Sequence, residues 1–504
     1  MSYISSVFNP QQRSRIAPVT SEDQFPTWER SLEEKYVQTL VTNTFGQTFY
    51  TNRRDLIAQA AQIHDSMLAK DPEFAAKALV YARNKGFMRS QPVYGLVKLS
   101  SVDRKLFERI FPEVIRIPND LFDFMTILKA LGRGKGGRCI KRAGGEWLES
   151  RLSEYWAIKY GASKPGQFSL RDLFRVFHPK MERSELVAYV QGANDVNLDA
   201  LPQVKAFEAL KRAATAEEKI AAIAEGRLPH EQATPFAGKD KAVWDAIVPN
   251  MPLFALLRHL ATLERHGVLD SYREHMEGLF ANEKVISKAK ILPYRFLDAA
   301  AHVKSSWATD ALRDAVELSF GNLPKLDGRT VVMLDVSGSM KWVQSGKYQL
   351  AAAIFGVALL KKVREGRFLL FDTNVYEAKI STRDSTLSQA ESVCSIGGGG
   401  TASGLPFRAI LRERYKADNI VMITDEQQNR LRPAIDVLDE YKRKVKRDVK
   451  TFVINISPYS GGHMFPDERN TYYVYGWSPA VLTFVSMAAN GWGSMIGAIR
   501  GDRV

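Results

Sequence analysis

Cysteine is nearly absent from this 504-residue chain, and so is any long uninterrupted apolar run. The cysteines, Cys139 and Cys394, lie far apart, which excludes a disulfide framework and a cysteine-rich zinc site and favours a reducing compartment. Residues 1–15 lack the apolar core of a signal peptide. Residues 479–499 carry no charge, but glycines and polar residues interrupt them at 490–494, so a packed C-terminal helix and a turn explain them better than a membrane span. We expect a cytoplasmic protein without membrane contact.

The composition is otherwise that of an ordinary globular protein, with 45% hydrophobic and 25% charged residues, and the length implies more than one domain. The net charge of +14 is unevenly distributed, because residues 129–180 contain 12 basic and 4 acidic side chains. A concentrated basic segment is typical of a protein that binds a polyanion, most often nucleic acid. A solvated basic face is the alternative, and charge alone does not decide between the two.

The segment VVMLDVSGSM at 331–340 organises the C-terminal part of the chain. Its apolar residues are typical of a strand buried on both faces of a parallel sheet, and the periodic segment that follows predicts a helix. The polar residues therefore lie at the carboxyl end of a strand, where open α/β sheets bind ligands. They offer one carboxylate and two hydroxyls, hard oxygen donors suited to Mg²⁺, from Asp335, Ser337 and Ser339.

Two later segments supply the further oxygen atoms that such a site needs. GGGGT at 397–401 is a flexible loop that can bring a threonine hydroxyl close to another backbone, and IVMITD at 420–425 is a second buried-strand pattern that ends in a carboxylate. An ordinary strand–turn–helix with capping Ser and Asp is the alternative, but three segments in this order favour a metal site. The predicted ligands are Asp335, Ser337, Ser339, Thr401 and Asp425.

Helical periodicity extends from Trp28 to Phe320, with short breaks at Pro or Gly and no fixed repeat length. Helices are predicted at 56–68, 72–84, 104–111, 120–131, 147–160, 204–213, 216–224 and 252–266. After the polar linker PKLDGR, predicted strands and helices alternate, with strands at 331–335, 367–372, 420–425 and 450–456 and helices at 347–363 and 433–445. The predicted fold class is multidomain: an all-α helical-repeat domain followed by an α/β doubly wound domain. The predicted boundaries are an N-terminal arm at 1–25, a helical module at 26–323 and an α/β domain at 324–504.

Residues 132–142, GRGKGGRCIKR, form a glycine-rich connection with five basic residues and no acid. Its glycines let the backbone approach and follow phosphate groups, although the residue order of a P-loop is absent. A flexible, solvated loop is the alternative, and this segment taken alone slightly favours it. The basic residues are Arg133, Lys135, Arg138, Lys141 and Arg142.

Residues 169–178, SLRDLFRVFH, predict an amphipathic helix that starts with a capping box of Ser169 and Asp172 and stops before a proline. Apolar residues recur at i, i+3, i+4 and i+7 from Leu170 and define the buried stripe. For the histidine alone, a helix-end residue stabilised by the helix dipole is the alternative. The basic loop upstream and a cationic row on the neighbouring face favour RNA binding, because the row can bind phosphates and stack on unpaired bases. The row consists of Arg171, Arg175 and His178.

A helical domain with this basic segment, followed by a complete oxygen-donor motif, resembles the Ro 60-kDa autoantigen family, which combines a TROVE module with a von Willebrand factor A-type (vWA) domain. The five oxygen donors match every position of the metal-ion-dependent adhesion site of vWA domains. The resemblance extends from about Thr42 to the C terminus and points to a bacterial member. It includes the segments 117–124, 132–134, 159–160, 171–180 and 243–260.

The resemblance implies a ring of HEAT-like helical repeats bridged by the vWA domain. It implies that small noncoding Y RNAs bind the outer surface and that single-stranded 3′ ends of misfolded RNAs enter the central hole. His178 and Lys159 match RNA-contacting residues of the family, with Lys164 and Arg175 as neighbours, although the turn at 164–167 is longer here. The complete expected RNA-binding set is Arg133, Lys135, Arg138, Lys141, Arg142, Lys159, Lys164, Arg171, Arg175, His178 and Lys180.

The leading hypothesis is a noncatalytic, monomeric RNA-binding scaffold for RNA quality control, processing or decay, with an exoribonuclease tethered through the RNA. The rival is a Mg²⁺-dependent phosphatase or nuclease acting at Asp335. It lacks support, because position 337 is serine where an aspartyl phosphatase needs an acid, and no paired acidic cluster suits two-metal chemistry. A third hypothesis makes the vWA domain a docking module in which Mg²⁺ accepts a partner's carboxylate, which is compatible with RNA binding elsewhere.

Overall fold

The computed structural model describes residues 19–20, 25–42, 53–134, 136–161, 168–182, 184–321, 323, 325–341, 347–457, 462–466, 470–476, 478–489 and 494–502. A mostly helical N-terminal region precedes a mixed sheet with helices, as the predicted fold class requires. The chain divides into two compact units. The first comprises Met1–Gln91, Leu292–Tyr294 and Val316–Arg503, and the second comprises Pro92–Ile291 and Arg295–Ala315.

The N-terminal region begins with a short antiparallel pair, β1 (Val19–Thr20) and β2 (Pro26–Thr27). Three short 3₁₀ helices at Leu198–Ala200, Val248–Asn250 and Leu269–Tyr272 connect some of the helices that follow. These helices are α1 (Leu32–Thr42), α2 (Arg53–Lys70), α3 (Pro72–Asn84), α4 (Ser90–Val102), α5 (Arg104–Val114), α6 (Pro118–Ala130), α7 (Arg138–Arg151), α8 (Glu154–Tyr160), α9 (Leu170–Phe177), α10 (Glu185–Gln191), α11 (Pro202–Arg212), α12 (Ala216–Gly226), α13 (His230–Ala237), α14 (Lys241–Ile247), α15 (Leu253–Arg265), α16 (Arg273–Phe280), α17 (Glu283–Ala289), α18 (Tyr294–Ala300) and α19 (Ser306–Ser319).

Capping side chains fix several of these helix ends, and one of them divides a helix that the periodicity predicts as continuous. The predicted helix at 147–160 is wrong in this respect, because α7 ends at Arg151 and α8 starts at Glu154. Ser153 lies between them in an extended conformation, and its Oγ accepts a hydrogen bond from Trp156 N at 3.3 Å. Apolar periodicity continues across such a break, so only the capping residue marks it.

The C-terminal region contains one six-stranded sheet in the order β5-β4-β3-β6-β7-β8. Strand β5 pairs antiparallel with β4 at one edge, and the other neighbours are parallel. The strands are β3 (Leu326–Asp335), β4 (Val363–Phe371), β5 (Val375–Ala378), β6 (Asn419–Thr424), β7 (Lys450–Asn455) and β8 (Thr471–Tyr475). The helices are α20 (Gly338–Lys341), α21 (Lys347–Leu360), α22 (Thr386–Cys394), α23 (Leu405–Arg412), α24 (Ala434–Lys444), α25 (Ala480–Ala489) and α26 (Met495–Gly501).

The uncharged C-terminal stretch contains the predicted helix, α25, and a second helix, α26, that was not predicted, while residues 490–493 of the predicted turn lie outside the described residues. Ser494 starts the second helix, because its Oγ accepts a hydrogen bond from Gly497 N at 3.1 Å. In the described residues, no helix is both long enough and apolar enough to cross a bilayer.

Within the second compact unit, α7 packs closely against α9. This contact fixes the position of the C-terminal end of α9. The ring of Phe177 on α9 lies against Gly144 on α7, and a Cβ added at Gly144 would lie 2.5 Å from Phe177 Cδ1. Both residues are buried. Only glycine therefore lets the two helices approach to this distance.

Replacing Gly144 with alanine should lower the free energy of unfolding by about 1–3 kcal/mol, because the added methyl forces the Phe177 ring out of its position. Chemical denaturation monitored by circular dichroism measures the change. The matched control is Gly278→Ala in α16, where a Cβ meets no atom within 4 Å and the substitution should be neutral or stabilising. Equal effects of the two substitutions would contradict this packing.

Candidate metal centre and nucleic-acid interface

The predicted metal ligands follow strands whose carboxyl ends lie at the same edge of the sheet. Strand β3 ends at Asp335, and its parallel neighbour β6 ends immediately before Asp425. The glycine loop joins the turn after β3 through two main-chain hydrogen bonds, from Gly338 N to Gly399 O and from Gly398 N to Val336 O, both 2.8 Å long. The sheet and these bonds thus bring three separate segments together.

Gly397 allows this close contact of the loops. Its φ is +81°, and a Cβ at this position would lie 2.5 Å from Val336 O. A side chain would therefore be excluded both by the backbone conformation and by the neighbouring carbonyl. The run of glycines is a structural requirement of the turn that carries Thr401.

Thr401 is also tied to the loop that follows Asp425. Its carbonyl accepts hydrogen bonds from Asn429 N at 3.0 Å and Arg430 N at 3.1 Å. Its own N–H donates to Asn429 Oδ1 at 2.9 Å. The threonine is buried and fixed at the level of its backbone.

All five predicted ligands are buried, with exposed fractions of 3% or less. Asp335 accepts hydrogen bonds from Ser337 N at 2.9 Å and from Thr424 Oγ1 at 2.7 Å. The hydroxyl oxygens of Ser337 and Ser339 lie 3.3 Å apart. Oδ2 of Asp425 has no hydrogen-bond partner among the residues that the structure describes. The arrangement places two carboxylates and a hydroxyl pair in a buried environment.

Neither carboxylate forms an ion pair with a side chain in the described part of the chain. Burial raises the pKa of Asp335 to about 6, with a further contribution from the negative charge of Asp372, against hydrogen bonds from Ser337 and Thr424. Burial and the charge of Asp335 raise the pKa of Asp425 to about 8. A divalent cation would remove this penalty, and hard oxygen donors fit Mg²⁺. Nowhere in the described part of the chain do three or more His, Cys, Asp or Glu side chains form a metal-ligand group, so hydroxyls would have to complete the coordination.

Asp372 is a site residue that sequence reasoning missed. It follows β4 directly, and its Oδ2 accepts a hydrogen bond from Gly399 N at 3.2 Å while Oδ1 accepts one from Asn374 N at 2.8 Å. It therefore positions the glycine loop. The available signal was that the predicted strand at 367–372 ends in this aspartate, as the strands before the other two ligands do.

Glu426, the acid next to Asp425, is bound to residues other than the predicted metal ligands. Its Oε1 lies 2.9 Å from Arg30 Nη2 and accepts a hydrogen bond from Asn455 Nδ2 at 2.8 Å. Arg30 and Glu426 are both buried. Burial opposes ionisation of Glu426, but Arg30 and His463 outweigh it and lower its pKa to about 2. This carboxylate is a structural anion, and its arginine partner, 396 residues away in sequence, could not be identified from sequence.

In the second compact unit, the structure exposes much of the predicted RNA-binding set. Lys135 and Lys164 lie outside the described residues. Lys141 is half-buried, and Arg142 is exposed and forms an ion pair with Glu108. The other exposed members are Arg138, Arg175, His178 and Lys180.

The end of α9 presents two of these residues on a well-fixed helix. The capping box is confirmed, since Ser169 Oγ accepts from Asp172 N at 3.2 Å and Asp172 Oδ2 accepts from Ser169 N at 2.9 Å. The predicted apolar stripe is buried as well. His178 follows in the left-handed region, with φ +49°, immediately before Pro179. Its ring and the guanidinium of Arg175 are exposed at this end.

Arg171 does not extend the exposed row as predicted. Its guanidinium packs on Gly192, where a Cβ would lie 2.5 Å from Nη2. Its Nε is buried and has no hydrogen-bond partner in the described residues. Gly192 ends α10 in the left-handed region, and the short loop that starts there creates this contact. Helical periodicity cannot reveal it.

Lys159 has an acidic partner that sequence reasoning did not predict. Its Nζ lies 2.8 Å from Glu231 Oε1 and 3.1 Å from the hydroxyl of Tyr155, and it lies 5.5 Å from the ring centre of Tyr160. Burial alone would lower the pKa of Lys159, but Glu231 raises it above its ordinary value. Lys159 is thus a fixed cation between two aromatic rings.

Comparisons with known proteins agree with both parts of the chain. Family models match at residues 329–487, described as a Ro60 vWA domain, and at residues 230–311, described as a TROVE domain. The RNA-binding protein RO60 of Deinococcus radiodurans is 26% identical over 499 residues, covering 91% of this chain and 93% of that protein. The RNA-binding protein RO60 of Caenorhabditis elegans is 24% identical over 460 residues, covering 75% of this chain and 71% of that protein. The crystal structure of the Deinococcus radiodurans RO (RSR) protein has the same fold, with a TM-score of 0.67 and 24% identity over 91% of this chain and 100% of that one.

Proposed function

Because this chain belongs to the Ro 60-kDa family, with its TROVE and vWA domains, we propose that it is an RNA-binding scaffold. The observation that carries the proposal is the exposed pair of Arg175 and His178 at the capped end of α9. A guanidinium can bind phosphates and stack on bases, and an imidazole can stack on an unpaired base. Two matching relatives are themselves named RNA-binding proteins.

The finer assignment is a small, structured Y-like RNA held on the outer surface of a helical ring, with single-stranded 3′ ends of misfolded RNA in the central hole. Family resemblance supports this assignment, together with the concentration of positive charge in residues 129–180. On this proposal the protein is a cytoplasmic monomer that acts in RNA quality control, processing or decay. An exoribonuclease would reach it through the bound RNA.

The scaffold is proposed to be noncatalytic. Glu426, the acid next to Asp425, is held by Arg30, Asn455 and Met464 N, so it is not free to accept a proton in a phosphatase or nuclease reaction at Asp335. Position 337, where an aspartyl phosphatase needs its acid, is a serine. The residues around Asp335 thus favour ligand binding over catalysis.

A second proposed function belongs to the vWA domain, which would dock a protein partner through Mg²⁺. Asp335, Ser337, Ser339, Thr401 and Asp425 would hold the ion. Two observations support a cation here: Oδ2 of Asp425 has no hydrogen-bond partner among the described residues, and the pKa values of both carboxyls are raised. The bound ion would supply a coordination position for a carboxylate of the partner.

Gentle purification of the full-length protein from its own cells, followed by sequencing of the RNA that accompanies it, tests the proposed function. We expect one discrete, structured small RNA. Protein that is free of RNA but carries an acidic protein partner would contradict the scaffold and favour docking at the vWA domain. The Asp335→Ala variant should keep the RNA and lose the protein partner, because the two sites lie in different domains.

A further inference from the structure

A cavity of about 560 Å³ lies where the end of α4, the start of α5 and the start of α7 meet. Three arginines contribute to its wall, and the residues lining it include no carboxylate. The lining residues are Ser100, Ser101, Arg104, Arg133, Gly137, Arg138, Cys139 and Ile140. All of them belong to the second compact unit.

The three guanidiniums of this cavity have no ion-pair partner in the described part of the chain, although acids lie close by. Asp103 is engaged at the start of α5, where its Oδ1 accepts from Lys105 N at 2.9 Å and Leu106 N at 3.0 Å. Glu108 is engaged by Arg142 and by Cys139 Sγ. The cavity therefore holds an excess of positive charge that the protein itself does not neutralise.

Among the three arginines, the positive charge of Arg133 is the least compensated. Its Nη1 donates to two neutral oxygens, Val97 O at 2.8 Å and Ser100 Oγ at 2.9 Å, so the guanidinium is held at the cavity wall. It is half-buried, and burial lowers the pKa of Arg133. A guanidinium that is held at a cavity wall by neutral oxygens keeps its charge available for an external anion.

The start of α7 adds further hydrogen-bond donors to the same cavity. Its N-cap is Gly137, which offers no side-chain acceptor, and no side-chain cap is present. The thiol of Cys139 does not compete as an anion, because burial and the hydrogen bond to Glu108 raise its pKa to about 11. Free N–H groups at a helix start favour a negatively charged ligand, especially beside arginines.

We propose that this cavity binds a terminal phosphate, that is, the phosphate monoester at the 5′ end of an RNA or on a free nucleotide. Three guanidiniums and a free helix start supply more donors than the two unesterified oxygens of a phosphodiester can accept, whereas a monoester offers three oxygens and a second negative charge. The volume also accommodates the attached nucleoside. If the phosphate belongs to an RNA, the inference rests on the proposed RNA-binding function. If it belongs to a free nucleotide, the inference stands without that function.

The experiment compares two RNA ten-mers of one sequence, one with a 5′ phosphate and one with a 5′ hydroxyl, and compares adenosine 5′-monophosphate with adenosine. All affinities are measured by calorimetry on the full-length protein at one salt concentration. We expect the phosphorylated partner of at least one pair to bind about tenfold to a hundredfold more tightly, since only the phosphate offers charged oxygens to the three guanidiniums. A preference confined to the RNA pair identifies an RNA end as the ligand, and a preference for the mononucleotide identifies a free-nucleotide site.

The Arg104→Gln/Arg138→Gln double variant should lose the preference, because both side chains are exposed, belong to the cavity wall and form no ion pair with another described residue. The matched control is Lys105→Gln/Arg109→Gln, which removes the same charge from exposed positions outside the wall and should keep the preference. No preference in the wild type, or equal loss in both variants, overturns the inference. Failure of the scaffold proposal looks different, since structured RNA with a 5′ hydroxyl would then not bind at all.

Discussion

RNA affinity should fall roughly a thousandfold when monovalent salt rises from about 50 to about 200 mM, if about six phosphates are neutralised. The physical reason is that lysine and arginine side chains displace counter-ions from the RNA, and added salt opposes this release. The exposed cations of residues 129–180 provide the contacts, among them Arg138, Arg175 and Lys180. Filter binding of a small structured RNA across this salt range measures the slope.

The control for the salt dependence is Asp335→Asn, which changes the vWA domain and should leave the slope intact. A decrease of less than about tenfold over the same range would contradict a phosphate-based interface. The basic residues would then form a solvated surface, and RNA binding would have to rest on uncharged contacts.

Affinity for Mg²⁺ should rise about a hundredfold between pH 6 and pH 8. Metal binding needs both carboxylates ionised, and in the metal-free protein Asp335 has a pKa of about 6 and Asp425 one of about 8. Each proton that the metal must displace costs a factor of about ten per pH unit below the pKa. Calorimetric titration with MgCl₂ at several pH values measures this dependence.

The same carboxylates determine how the stability of the metal-free protein depends on pH. Both folded-state pKa values lie above the ordinary aspartate value of 3.8, so these two groups bind more protons in the folded protein than in the unfolded chain between about pH 4 and pH 8. Stability without metal should therefore decrease as pH rises through this range, and the stabilisation by Mg²⁺ over EDTA should increase. Mg²⁺ at 100 times its Kd should add about 2.7 kcal/mol to the free energy of unfolding.

Asp425→Asn should abolish Mg²⁺ binding and its pH dependence, because it removes the carboxylate whose Oδ2 lacks a hydrogen-bond partner in the described structure. The matched control is Asp448→Asn, since this aspartate is 80% exposed in the same compact unit and should leave Mg²⁺ binding unchanged. A Mg²⁺ affinity that is independent of pH, or that survives Asp425→Asn, would contradict the assignment of these ligands.

Strands buried on both faces were predictable, and marginal strands were not. Strands β3 and β6 have continuous apolar runs, as strands buried on both faces do. The ends of these two strands place the aspartates among the predicted metal ligands. Strand β5 has only four residues, VYEA, at an edge of the sheet. Strand β8 is a short aromatic segment, TYYVY, with no apolar alternation. Sheet pairing, rather than local pattern, makes these two segments strands.

Side-chain partners across long sequence separations could not be predicted either. The sequence identifies Lys159 and Arg171 as cations, but tertiary packing pairs one with Glu231 and lays the other on Gly192. The ion pair of Glu426 likewise depends on Arg30, at the other end of the chain. By contrast, Arg175 could be placed on an exposed face from the apolar stripe of its own helix, because helix geometry determines that face. His178 is exposed as well, but it follows the helix in the left-handed region, so helix geometry does not determine its direction.

The most direct test of RNA binding at α9 is the affinity of the Arg175→Ala/His178→Ala variant for a small structured RNA at fixed salt. We expect a loss of at least tenfold without a change in thermal stability, because both side chains are exposed. The matched control, Arg212→Ala/His275→Ala, removes one exposed arginine and one exposed histidine elsewhere in the same compact unit and should bind normally. Unchanged affinity in the first variant, or equal losses in both, would contradict the account.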